Sequence, residues 1–520
     1  MDSRRPLLIP NEGDEPPPQP PEPPLAGVSD FRGRPVYRAT SGGWRSALFV
    51  ASERVLRIPI VGDGLQLLLL RRVGEPDQLP DGAAGAIERV GGERVVGDGA
   101  HAPSPRRRPR RLLLGRYPFI LLACTLYVMG LGMLTVASSL PACAATAAAA
   151  AACRPSMAQV IFVYVSLYLV AFAQGFDKPC GLAFGAEQFD PGHPRESAAR
   201  SSLFNWWFFS MAVGVAVAIA AVSYVQENVG WGVPFAVVSC ASAVFLLGTP
   251  TYRLYAPPRP DTAMDGKRSS SSEEDARGAL RRLLPIWAAC VAYGVADAQI
   301  MTLFNKQGRM LDRRIGGVEL PPAALQTIGP ATIVLFVPIY DRAVVPALRR
   351  ATGNPSGLTT LQRTGAGLAT SLAAVEGRRL GAARAGRRPA MSWAWLVPQY
   401  ASMGVADVLA AVGMQEFFHG EMPEGRRSVG LALYCGAVGI GGFVSAALIA
   451  ALDGVTRRDG GEGWFADDLD RGHLDYFYWL LAGVSAVALA MFLCFARSYA
   501  YRNKTLLVPS NTSSINTHHA

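Results

Sequence analysis

The chain has 520 residues, half of them hydrophobic and only 17% charged, with a mean hydropathy of +0.20. That balance excludes a disordered chain and departs from an ordinary soluble enzyme, in which about a quarter of residues are charged. The net charge of +10 lies mostly in hydrophilic stretches between long apolar runs. Such a pattern fits loops at a membrane surface rather than a phosphate-tracking groove, so nucleic acid is not an expected partner. Eight cysteines without a CxxC pair make neither a disulfide scaffold nor a zinc site, and no cofactor is expected.

In chain order, residues 1–48 are proline-rich and start acidic, without the apolar core of a secretory leader, and are expected to be a cytosolic tail. Apolar runs long enough to cross about 30 Å of hydrocarbon then extend from about Tyr117 to Leu140, Met157 to Phe176, Leu203 to Val222 and Trp231 to Leu247. A second group covers about Leu284 to Phe304, Ala323 to Val344, Leu396 to Phe418, Val429 to Leu452 and Tyr476 to Phe495, with a weaker segment at Leu358–Val375. The expectation is an all-α integral membrane protein of about ten recognisable spans, with the lipid bilayer as its first partner. Residues 49–250 form an N-terminal helical bundle, 251–283 a polar linker, 284–498 a C-terminal bundle and 499–520 a tail. Two bundles around a polar linker suggest a transporter of repeated halves.

The linker carries Arg253, Arg259, Lys267, Arg268, Arg277, Arg281 and Arg282, whereas the connections at 141–156 and 223–230 hold only Arg154. Linker and both tails are therefore expected in the cytosol. Cys143 and Cys153 fall in an outer connection where a disulfide is allowed, and paired and free thiols both stay open. No P-loop, nucleophile elbow or metal cluster appears, so the chain is not read as an enzyme or an ATP-driven pump.

Several segments carry a resemblance. GFDKPCGLAFGAEQFD (Gly175–Asp190), SSLFNWWFFS (Ser201–Ser210), QENVGWGVPF, LLPIW, VPIYDR, LQRTGAGL, VPQY, QEFF and WFADDLDRGHLDYFYWLLA follow one another in the order seen in the plant nitrate/peptide transporters. These are proton-dependent oligopeptide transporters of the major facilitator superfamily, and FNKQGRMLDR with DYFYWLLA most resemble the fifth subfamily. The resemblance implies two six-helix bundles, alternating access and a central cavity. It also implies symport of a proton with a small solute such as nitrate, a peptide, a hormone or another metabolite, in the plasma or vacuolar membrane. Non-transporting alternatives are a sensing protein and a degenerate product.

An ionisable residue inside a span is costly and so a functional candidate. Lys178 precedes Pro179 and is expected near a helix break; alone it reads equally as a snorkelling lysine, and the resemblance makes it the partner of proton-binding glutamates. Glu416, beside Phe417, matches a glutamate on the cavity wall. Asp297 lies mid-span with Tyr293 one turn earlier, and a buried carboxylate there can take up a proton or a substrate cation. The first-helix proton motif of the family has two glutamates. Here Glu53 and Arg54 remain, and Val50 stands where the first glutamate belongs. Arg116, Asp341 and Arg342 match cytosolic turns that latch neighbouring helices, so they are expected in gating or structure.

Residues 49–112 break the resemblance. Two helices are expected between GGWRS and LGRY, but GEPDQLPDGAAGAIERVGGERVVGDGAHAPSPRRRPRRL is too charged to cross hydrocarbon. One reading is a divergent cytosolic insertion. The other is translation in a shifted frame, since His101–Leu112 can be back-translated so that the next frame reads MLPALGAALADS, an apolar helix. The first two helices of the fold are expected to be damaged or missing.

Overall fold

The computed structural model describes residues 29–30, 116–139, 157–189, 194–219, 225, 232–248, 255–256, 265–301, 303, 314–315, 318–319, 322–353, 357–385, 393–423, 426–456, 464 and 474–499. Among them are ten long helices, four before the linker and six after it. The first four are α1 (Arg116–Ser139), α2 (Met157–Glu187), α3 (Pro194–Val217) and α4 (Gly232–Gly248). After the linker come α5 (Asp265–Met301), α7 (Thr360–Ala385), α9 (Arg427–Thr456) and α10 (Leu474–Ser498). Two further helices are each interrupted by a π-helical turn. In α6 the turn Tyr340–Val344 separates Ile328–Ile339 from Val345–Thr352. In α8 the turn Asp407–Ala411 separates Val397–Ala406 from Val412–Glu421.

Side-chain spacing on α1 shows why these helices stand in lipid. Ile120, Ala123, Cys124, Tyr127, Leu131, Leu134 and Ala137 are buried at helical intervals, whereas Leu122, Met129 and Val136 repeat every seven residues on the outside. An exterior of large apolar groups is stable against acyl chains, not water. Among the described residues six helices are long and apolar enough to cross a membrane, and Gly232–Val244 is a shorter apolar helix. The α7 segment falls below that standard because Arg363 sits within it and Glu376, Arg378, Arg379 and Arg384 crowd its last third. It nonetheless forms a helix of 26 residues, longer than the abridged span expected.

Two other boundaries differ from expectation. α5 starts at Asp265, well inside the stretch read as linker, because its charged first turns continue without a break into the span Glu274–Ile300. α2 runs through Pro179 for 31 residues rather than breaking there.

α1 packs on α2 and α4, while α5 packs on α9 and α10, α7 on α8 and α10, and α6 on α8. The α5–α9 crossing depends on two glycines. A Cβ on Gly294 would stand 2.8 Å from the Ala437 carbonyl oxygen, and one on Gly441 would stand 2.5 Å from Gly294 Cα. Between the bundles, α3 packs on α6 and α8, and α2 on α9. Ser29–Asp30 pairs antiparallel with Tyr255–Ala256 of the linker, so residue 30 and the linker share one face of the protein.

Candidate functional site

A cavity of about 310 Å³ lies between the two groups of helices. On one side α2 and α3 contribute Lys178 and Trp207; on the other, α5, α8 and α9 contribute Tyr293, Asp297, Asp407, Gln415 and Tyr434. Tyr293 and Asp297 are one turn apart on α5 and so share a face. The Tyr293 hydroxyl donates to the Asp407 carboxylate. Lys178 is half-buried. One wall thus carries a cation and the opposite wall two carboxylates with a phenol between helices, an arrangement suited to a small solute bearing charge.

Asp407 opens the π turn of α8. A π turn slips the backbone ladder by one residue, so the Val412 N–H reaches the Asp407 carbonyl. Gly367 of α7 allows this widened turn to lie against it, since a Cβ there would stand 2.2 Å from Ala410 N. Four residues before Gly367, on the same face of α7, is Arg363, 4% exposed. Its Nη2 donates to the Val408 carbonyl at 2.8 Å and to Asn205 Oδ1 of α3 at 2.6 Å. Its Nη1 lies 3.6 Å from Glu416 Oε2, and its guanidinium covers the Tyr340 ring at 4.5 Å.

These contacts belong to a polar seam at the linker end of the helices. Asp341, in the π turn of α6, accepts from Ser202 Oγ at 2.7 Å, Asn205 Nδ2 at 3.0 Å and Trp206 Nε1 at 3.1 Å. Arg342 lies over the Trp206 ring at 5.7 Å. Ser201 Oγ donates to Glu416 Oε1 at 2.6 Å. Ser201, Ser202, Asn205 and Trp206 occupy one face of α3, so a single stripe closes against three helices of the other bundle. Phe204 of the same helix meets the His419 ring edge-on at 5.3 Å.

The expected site residues therefore separate. Lys178, Tyr293 and Asp297 line the cavity. Glu416 and Phe417, expected on its wall, are not among the lining residues: Glu416 turns into the seam, where Ser201 and Arg363 satisfy it, and Phe417 packs on Phe418 and Tyr499 with both centroids at 5.3 Å. Asp341 and Arg342 lie on the seam. Arg116 opens α1, and only its backbone is described; Glu53, Arg54, Cys143 and Cys153 lie outside the described residues. Sequence reasoning missed Asp407, Asn205 and Arg363. Each had the same signal as Asp297, a polar side chain within an apolar run.

The POT family profile (PTR2) matches residues 117–270 and 262–465. Among curated proteins, NRT1/PTR FAMILY 5.10 of Arabidopsis thaliana is 37% identical over 545 residues, covering 91% of this chain and 96% of that protein. NRT1/PTR FAMILY 5.14 of the same plant is 36% identical over 547 residues, with the same coverage. Among solved structures, an auto-inhibited POT family peptide transporter superposes with a TM-score of 0.62 at 19% identity, covering 90% of this chain and 99% of that one. The fold is accordingly the major-facilitator fold of a multi-pass membrane protein, not an enzyme's. With its profile spread over most of the chain and its relatives grouped in one subfamily, the chain belongs to the POT family of membrane transporters, beside the fifth NRT1/PTR group.

Proposed function

We propose that the chain moves a small anionic or zwitterionic solute by alternating access, in symport with protons. The observation that carries this is a cavity between the bundles, charged on both walls, lying above a closed polar seam. Lys178 would attract the anionic group of the solute, while Tyr293, Asp297 and Asp407 would take its cationic group or a proton. Opening the seam would release solute into the cytosol, where the arginine-rich linker is expected. In the same reading Glu53 and Arg54 are what remains of a first-helix proton motif, the tails are cytosolic, and plasma or vacuolar membrane houses the protein.

The test is uptake into proteoliposomes holding the purified chain, with and without an inward proton gradient. A panel of nitrate, a dipeptide and a free amino acid would cover both charge classes. Gradient-dependent accumulation of one of these supports symport. Saturable binding with no accumulation would favour a sensing protein, a reading that draws on Val50 standing where the motif needs its first glutamate. The absence of both binding and accumulation would overturn the proposal.

A further inference from the structure

Among the described residues two π turns interrupt helices of the C-terminal bundle, and both meet the same side chain. Arg363 lies over Tyr340, the first residue of the turn in α6, and donates to the carbonyl of Val408, the second residue of the turn in α8. Its remaining reach goes across the seam to Asn205. π turns are frequent at functional sites, and a slipped ladder that reverted to regular helix would shift the backbone locally. The residue beside Val408 is Asp407, which accepts from Tyr293 within the cavity. One turn of α8 thus has a face toward the solute cavity and a carbonyl on the seam.

We propose that Arg363 couples the cavity to the seam. Its clip on Asn205 holds the bundles together only while the α8 turn presents the Val408 carbonyl, and the Tyr293–Asp407 bond fixes that turn. A solute that draws Asp407 away from Tyr293 lets the turn relax, withdraws one of the acceptors that orient the guanidinium, and loosens the clip. Arg363 acts here as a positioning residue, because it is not part of the cavity wall. Glu416 and Tyr340 keep its charge compensated in both states, so release of the clip does not strand a buried cation. This inference rests on the transport reading, and its test uses no uptake, so the two fail separately.

Cys435 lines the cavity and supplies a native reporter. In a chain keeping that cysteine alone, a membrane-impermeant maleimide applied from the linker side of oriented vesicles reads the open seam. Arg363→Ala should raise the labelling rate at least about fivefold, the lower range of allosteric couplings. Tyr293→Phe, which deletes only the hydroxyl that Asp407 accepts, should raise it too, and the double variant should label no faster than Arg363→Ala. Asn205→Leu cuts the same clip from the other bundle and carries the same cycle if Arg363→Ala does not fold. Additive effects of the two substitutions would overturn the coupling. Unchanged labelling in both Arg363→Ala and Asn205→Leu would overturn the clip itself.

Discussion

Asn205 joins Arg363 to Asp341 across the seam with opposite ends of one amide: its oxygen accepts from the guanidinium at 2.6 Å and its nitrogen donates to the carboxylate at 3.0 Å. The orientation of the amide is set by those two charges, because a flip would face nitrogen with cation and oxygen with anion. The pair of bonds lets Asn205 join α3 to both α6 and α7. Residue 205 is also 3% exposed, so water cannot readily replace either partner.

Asn205→Asp should accordingly be worse than its size suggests. The new carboxylate keeps the contact to Arg363 but sets a negative oxygen against Asp341. Losing a buried bond to a charged group costs about 1.5–3 kcal/mol, and like-charge contact adds to that. The thermal midpoint of the detergent-purified protein should fall by several degrees, more than for Asn205→Leu. A smaller fall for the aspartate would show that the seam is already hydrated.

Gly367 and Gly430 are places where two helices touch backbone to backbone. A Cβ on Gly430 would lie 2.1 Å from the Phe418 carbonyl oxygen, as close as the Gly367 case against Ala410. Gly442 meets nothing within 4 Å. Alanine at 367 or 430 should destabilise by about 1–3 kcal/mol through overpacking, whereas alanine at 442 should be neutral or slightly stabilising. Midpoints from the same thermal assay decide it; a neutral Gly367→Ala would mean that α7 and α8 separate more easily than their packing implies.

Lys178 and Asp297 stand on opposite walls of the cavity, and their removal should separate binding from coupling. Lys178→Gln should lower uptake of an anionic solute at least about tenfold, the equivalent of about 1.4 kcal/mol, with an unchanged thermal midpoint because the lysine is only half-buried. Asp297→Asn, made in a chain whose first-helix glutamate is restored so that uptake depends on pH, should leave the fold intact and flatten that dependence. Unchanged uptake and an unchanged pH profile in Asp297→Asn would remove that carboxylate from the mechanism and leave Asp407 as the acid of the cavity.

How far the sequence could be read depended on whether a residue's role was local. Span positions followed from runs of apolar side chains, and the Leu122–Met129–Val136 stripe needs only one helix to be recognised. Tyr293 and Asp297 were legible as a pair because a single helical turn separates them. Glu416, expected on the cavity wall from the resemblance alone, is not among the residues lining this cavity, and the face of α8 it occupies depends on the extra residue of the π turn before it. Arg363 and Asn205 are 158 residues apart in sequence, so no periodicity links them. Within its own segment Arg363 lowered the hydropathy and made α7 look abridged, although its burial is what fastens α7 to the seam.

Residues 49–112 bear on whether transport is coupled. The family resemblance implies that Lys178 would exchange ion pairs with two first-helix glutamates as protons come and go, and in the sequence only Glu53 matches that pair, with Val50 at the other position. In that scheme a lysine offered one carboxylate instead of two has a weaker reason to change partner on protonation, so proton movement and solute movement would lose their link. The chain as written should therefore take up solute slowly and with little dependence on external pH. A version recoded so that the stretch before LGRY reads as an apolar helix pair, with the first glutamate restored, should transport faster at acidic than at neutral external pH. The comparison is made at equal surface expression, which thiol biotinylation of both chains would verify. Equal, pH-dependent uptake by the two chains would show that 49–112 is a tolerated insertion and that the carboxylates of the C-terminal bundle, Asp297 and Asp407, suffice for coupling.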